Sequence, residues 1–589
     1  MPRKLSIVIS GAVSLGSYEA GVIYELMEAI ALHNKSLQET SVELYKEKRV
    51  LIDVITGASA GAMTAGILSQ QLYYGGKQLR EAYGNPLFNA WVKKISIDKL
   101  LNLEKEKQIY SLLSSDVIDE IGVSYIQDNP GDILDRHPAA SDNLRIGLAM
   151  SNLNGFPREI EGKEEIFAYS CYKDQFVCQL TLPQSKDELS ISSIYYKDRG
   201  IQLFEMEPHW DRKKVSWKPM AQSCNWQILR MMALSSGAFP FAFRARRIVR
   251  IGGSEDSLTR SRDSRRKATA GDKLHRGDYL YTDGGIFENE PVGMAANLSK
   301  DIDEKDGDSN RIYLFVAPGK RKIDADPFFN KEDDLLGMTL ALASAIFGQS
   351  RFQQWVTEGL DNDLLTVTAS DNILIGDIYS AFGGFLEEGF RTYDYNIGRR
   401  VTRQQLREGK FISLIDNFNG IDQKMPMIDW PKDTQPIRPQ STHLHVRADN
   451  PFVNEKIQDG YREYETDSWK RVRDDLILLA QPYFTEENGL KKRQPMSELR
   501  RLMERVGMNR RELIAAQIYA RIDSLVDLFS DNYIDKVDSR RRFQQFRKLL
   551  RQIMGKPLAK FVLKRLMRPF LESNVLRPGP IDARDYKDH

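Results

Sequence analysis

Over the first two thirds of the chain, short apolar runs of strand length alternate with stretches whose apolar residues recur at helical spacing. Residues 5–9 (Leu-Ser-Ile-Val-Ile) form such a run and lead into a loop, Gly11 to Gly16. Behind the loop, Val22, Ile23, Leu26, Met27 and Ile30 fall on one helical face, which predicts a helix over 17–33. Residues 50–55 form a second strand, followed by Gly57-Ala58-Ser59-Ala60-Gly61 and a helix to about Leu72. Further strands are predicted over 144–150, 165–169, 279–281 and 312–316. Alternation of this kind predicts the α/β class, with a mostly parallel central sheet covered by helices.

Three later regions depart from that rhythm. Residues 252–278 are polar and basic, with almost no large apolar group, and are expected to form a flexible loop open to trypsin at Arg260, Arg262, Arg265, Arg266 and Lys267. Residues 421–452 carry Pro426, Pro431, Pro436, Pro439 and Pro451 and read as an extended connection. Beyond them the pattern becomes helical, over approximately 453–481, 497–506, 509–529, 539–554 and 557–572. The predicted organisation is therefore a catalytic unit over 1–420, the connection over 421–452 and a helical region over 453–584. The final five residues, 585–589, resemble an epitope-tag remnant and are set aside. No repeat of fixed period is present.

Composition narrows the function classes. The chain has 589 residues, with 84 Lys+Arg against 82 Asp+Glu and a net charge of +2, which does not suit a globally basic nucleic-acid binder. Three cysteines (Cys171, Cys178, Cys224) are too few for a disulfide framework and suit a reducing compartment. No secretory signal is recognisable at the N-terminus. The longest apolar stretch, 335–348, is too short to span a bilayer and reads as a core helix. A cytoplasmic location is the expectation.

Three short blocks carry candidate chemistry. The G-x-S-x-G string centred on Ser59 follows a strand and opens a helix, which is the setting of a nucleophile elbow. Glycines at Gly57 and Gly61 let the backbone bend tightly, and the helix N-terminus favours developing negative charge. The plainer reading is a glycine-rich strand–helix turn. Asp283-Gly284-Gly285, followed by Asn289 and Pro291, comes after the strand-like 279–281. The first loop, containing Gly11, Ala12, Val13 and Gly16, presents backbone N–H groups to an anion. It lacks the Lys-Ser/Thr pair of a nucleotide P-loop.

In this order, the three blocks resemble the patatin-like phospholipase family. The segment Leu234-Ser235-Ser236-Gly237-Ala238-Phe239-Pro240 is also similar to that family. Recognisable motifs cover about 4–320 and extend to about 415 through the stretch Phe390 to Arg400. The resemblance implies a three-layer patatin-like fold followed by the helical region. It implies a Ser59–Asp283 dyad, with Ser59 as nucleophile and Asp283 as its base, and an oxyanion hole of backbone N–H groups near Gly11, Ala12, Val13 and Gly16. It also implies an acyl-enzyme intermediate, with no cofactor and no metal. The first loop departs from the family's G-G-G-x-[RK]-G: Ala12 and Val13 replace glycines, and Leu15 replaces the basic residue.

The activity so implied is calcium-independent hydrolysis of fatty-acyl esters in phospholipids or lysophospholipids, of the phospholipase A type. Two alternatives are a non-catalytic lipid-binding or adaptor protein on this scaffold, and the same hydrolase serving as a membrane-damaging effector. His33, His137, His209, His275, His443 and His445 lie in no recognisable triad motif and read as surface or structural residues. Residues 539–571 carry many Lys and Arg and no Asp or Glu, with apolar residues at helical spacing. That pattern suits either docking on the catalytic unit or peripheral contact with an anionic membrane. No nucleic-acid partner is expected.

Overall fold

The computed structural model describes residues 2–101, 110–131, 134–161, 166–182, 189–193, 209–211, 216–218, 222–240, 242–252, 275–307, 311–319, 364–369, 383–385 and 388–428. It also describes Leu374, Gly376, 484–487, 490–493, Arg521 and Leu525. Among the described residues the central sheet has nine strands: β1 (Arg3–Ile9), β2 (Val50–Gly57), β3 (Ala140–Glu161), β4 (Ile166–Thr181), β5 (Ser190–Ser193), β6 (Arg246–Gly252), β7 (His275–Thr282), β8 (Ile312–Gly319) and β9 (Leu364–Ala369). The order β9-β8-β1-β2-β3 is parallel throughout. On the far side of β3 the sheet turns antiparallel through β4 and β5, and β7 pairs antiparallel with both β3 and β6.

β1 and β2 are buried along almost their whole length, as expected of parallel strands covered on both faces. One face carries the larger core, under α1 (Gly16–Thr40), α2 (Ala60–Tyr74), α3 (Asp116–Tyr125) and α4 (Gln222–Ser236). The other is covered by α5 (Val292–Asp306), whose Val292, Met294, Ala295 and Leu298 meet Val8, Val54, Ala149 and Phe315 from the strands. The architecture is thus of the expected α/β class, a mostly parallel sheet between two helical layers, and is consistent with a patatin-like fold.

α6 (Glu388–Arg407) packs along α1, although more than 300 residues separate them. The two backbones meet at glycines. A Cβ on Gly21 would overlap the carbonyl oxygen of Tyr395, and one on Gly398 would overlap that of Tyr18. Arg399 and Glu25, both fully buried, pair across this contact through Nε to Oε2 at 2.9 Å, and Arg403 binds the other carboxylate oxygen. The Arg399 guanidinium also lies 4.8 Å from the Tyr24 ring centre and 5.2 Å from that of Tyr83.

Several sequence boundaries move. The strand expected over 144–150 runs from 140 to 161, because it continues as a ribbon with β4 after an irregularity between Ser151 and Phe156. The expected 165–169 is only the opening of β4. The polar interval 252–278 is shorter than its composition suggests, since Gly252 pairs with His275 and 275–278 are strand. Packing against α6 continues past 420: the Pro426 carbonyl accepts from both Arg399 and Arg403, at 3.1 and 2.7 Å. A hairpin of 484–487 with 490–493 falls between two expected helices. The interior of the polar interval, the apolar run 335–348, the rest of the connection and of 453–584, and 585–589 lie outside the described residues.

Candidate active site

Ala58 and Ser59 are the only two residues between β2 and α2, and Ser59 has φ +51° and ψ −122°. That conformation is strained for any side chain bearing a Cβ and projects the side chain away from the turn. Its flanking glycines are sterically required. A Cβ on Gly57 would strike the Gly61 carbonyl, and one on Gly61 would strike the carbonyls of Ile9 and Ser10 at the end of β1.

Asp283 directly follows β7, beside the middle of β3 where Ser151 pairs with Thr282. Its N–H donates to the Ala238 carbonyl at 3.0 Å, and its own carbonyl accepts from Ser151 Oγ at 2.7 Å. The side chain is therefore held from two sides. Ser59 Oγ donates to Asp283 Oδ2 at 2.5 Å, and the Gly285 N–H donates to Oδ1 at 2.7 Å. Burial pushes the carboxyl up to about 7, more than these two hydrogen bonds pull it down. Gly284 sits where any Cβ would overlap the Ala149 carbonyl. The two residues singled out from separate motifs, 224 positions apart, are thus in direct contact.

The first loop divides its expected roles. The Gly11 N–H donates to the Asn289 carbonyl at 3.2 Å, so it is already engaged. The N–H groups of Ala12, Val13 and Ala60 donate to no other group among the described residues. Val13 has φ +51°, which is costly for a β-branched residue. Gly16 opens α1, and a Cβ there would lie 2.6 Å from the Trp91 indole, so its smallness serves packing against that ring. Leu15 is buried in the core. Ser14 Oγ accepts from the Gly384 N–H at 3.1 Å. Buried Arg391 in turn donates to the carbonyls of Gly384, Phe385 and Val92.

A narrow cavity of about 40 Å³ opens beside Ser59. Its walls are apolar, from Val13, Met63, Trp91, Phe239, Phe243 and Phe385 among others. Sequence reasoning named Val13, for the oxyanion hole, and Phe239, within the segment 234–240, but not Met63, Trp91, Phe243 or Phe385. It also did not single out Ser236, whose Oγ accepts the Ser59 N–H at 3.0 Å and donates to the Ala149 carbonyl at 2.6 Å. Of the histidines, His33 and His137 hydrogen-bond to backbone, at Lys48 and Ala139. His209 and His275 lie on strands, and His443 and His445 fall outside the described residues.

A seryl hydroxyl on a buried carboxylate, unengaged N–H groups on either side and an apolar cavity can together support nucleophilic attack on a carbonyl, stabilise the resulting oxyanion and house a hydrocarbon chain. The chain is 24% identical over 478 aligned residues to the uncharacterized protein y4iI of Sinorhizobium fredii (strain NBRC 101917 / NGR234). That match covers 67% of this chain and spans 63% of the relative's length. Residues 7–159, which hold the first loop and the Ser59 elbow, match the family model of patatin-like phospholipases.

Proposed function

We propose that the chain is a lipid acyl hydrolase that cleaves fatty-acyl ester bonds of phospholipids or lysophospholipids through Ser59 and Asp283. The observation that carries this reading is the 2.5 Å contact of Ser59 Oγ with the buried Asp283 carboxylate, at the mouth of an apolar cavity. Asp283 takes the Ser59 proton as Oγ attacks the ester carbonyl. The N–H groups of Ala12, Val13 and Ala60 receive the oxyanion, each worth on the order of 3 kcal/mol in comparable sites. Asp283 then protonates the departing alcohol. Water, deprotonated by the same carboxylate, attacks the acyl-serine; the acyl–Oγ bond breaks, Asp283 returns the proton to Ser59 Oγ, and the fatty acid is released. Ser236 acts through Ser59: by holding its N–H, it fixes the strained backbone from which Oγ projects.

The test is hydrolysis of acyl-labelled phospholipid and lysophospholipid with a chelator present, alongside a soluble 4-nitrophenyl ester. Ser59→Ala and Asp283→Ala are each expected to lower the rate by about 10³-fold or more with the fold intact. A fluorophosphonate is expected to label Ser59 in the wild type. Full activity in either variant would remove the dyad. Folded wild-type protein that neither takes the label nor cleaves any ester would favour a lipid-binding role.

A further inference from the structure

Trp91 stands apart among the cavity walls because its orientation is fixed independently of the dyad. It lies in a single π-helical turn, Asn89–Lys94, an irregularity that recurs where a side chain has to be placed for a purpose. Its Nε1–H donates to Thr64 Oγ1 at 3.0 Å, and Thr64 Oγ1 donates to the Ala60 carbonyl at 3.2 Å. Gly16 lies against the indole at its ring fusion, around Cδ2, Cε2 and Cε3, where even a methyl group has no room. The ring is thereby held between the start of α1 and the first turns of α2.

Helix geometry places this clamp along the cavity. Thr64 is five residues beyond Ser59, about 7.5 Å along the helix axis, and the wall residue Ile67 is eight residues beyond, about 12 Å. Trp91 and Ile67 both line the cavity with Ser59, so the anchored indole is a wall that an acyl chain bound at Ser59 would meet.

We infer that Trp91 is a specificity-determining residue that admits unbranched acyl chains and rejects chains branched a few carbons from the carbonyl. The inference rests on the hydrolase reading above and specifies its acyl substrate. An extended chain passes a flat, immobile indole with every methylene in contact. A methyl branch at that level has to displace the ring, and so breaks its bond to Thr64 or presses it into Gly16. Each methylene that finds apolar contact is worth about fourfold in selectivity, so a branch that also disturbs the ring costs more than that.

The experiment compares kcat/KM for 4-nitrophenyl octanoate and 4-nitrophenyl 4-methyloctanoate. The wild type is expected to prefer the straight chain by about tenfold. Trp91→Leu should bring the ratio close to one by raising turnover of the branched ester, whereas Trp91→Phe, which keeps a flat ring, should retain most of the preference. Thr64→Val, which removes the indole's acceptor at constant volume, should relax it in part and guards against a Trp91 variant that fails to fold. A ratio unchanged in both Trp91→Leu and Thr64→Val, or both esters slowed equally, would overturn the inference. Calorimetric binding of octanoic and 4-methyloctanoic acids to Ser59→Ala, with and without Trp91→Leu, reads the same constriction without turnover. A protein inactive on every ester but showing this binding preference would sink the hydrolase reading alone. Equal binding of the two acids would sink the constriction.

Discussion

At the scale of single residues, the site depends on one carboxyl group kept out of water. Only ionised Asp283 can accept the Ser59 proton, so kcat/KM on a soluble ester is expected to rise with pH through a limb near 7, where burial sets this group. The same shift has a stability side. Asp283 holds its proton in the folded chain up to about 7 but releases it near 3.8 once unfolded. Its contribution is therefore full below 3.8 and is lost as pH rises through 7. Asp283→Asn should be more stable than wild type at pH 8, by as much as ~4 kcal/mol, with the gap closing at acid pH in chemical denaturation. An Asp283→Asn protein no more stable than wild type at pH 8 would show that the carboxylate is not strained by burial. Ser59 and Asp283 were legible in the sequence because tight turns impose glycines at fixed spacing around them. Ser236 was not. Its neighbour Ser235 is chemically identical, and only the structure shows that Ser235 bonds within its helix at Met231 while Ser236 reaches the nucleophile.

At the scale of elements, strands and helices with apolar periodicity were readable, and α6 shows where that reading stops. Arg391, Asp394 and Arg399 are fully or almost fully buried, although a helix so rich in charge looks like a solvent-facing surface. Their burial is bearable because each finds a partner at a distance: Arg391 finds carbonyl groups, Asp394 accepts the Gly376 N–H, and Arg399 meets Glu25. A partner 374 residues away leaves no local signal. The opening of β7 escaped for a related reason. Residues 275–278 are polar and become strand through pairing with β6. The α1–α6 contact carries a definite expectation. Glu25→Ala leaves Arg399 and Arg403 buried without their carboxylate and should cost about 3–5 kcal/mol, seen as a lower denaturation midpoint. Double replacement of Glu25 by Leu and Arg399 by Met, which removes charge from both helices, should recover part of that loss. A Glu25→Ala protein with wild-type stability would mean that water reaches the pair.

At the scale of the whole molecule, the proposed substrate is insoluble, and among the described residues no helix is long and apolar enough to cross a membrane. We expect attachment from the basic stretch 539–571, which lies outside the described residues and carries no Asp or Glu. Each engaged Lys or Arg contributes about 1 kcal/mol at an anionic surface and is screened by salt. Replacing Arg547, Lys548, Arg551, Lys560 and Lys564 by Gln should weaken binding to anionic vesicles more than it slows hydrolysis of a soluble ester. Unchanged vesicle binding would move membrane contact elsewhere. The pairing of α1 with α6 also bears on how the chain is made. Glu25 leaves the ribosome 378 residues before Arg403, which at ordinary elongation rates is a wait of roughly 20–75 s. During that interval the helix that follows the first loop has an acidic group and a glycine-notched apolar face, but not the element that covers them. Premature termination anywhere before α6 would leave that face open, so truncated products should be prone to capture by chaperones and proteases rather than accumulate half-built.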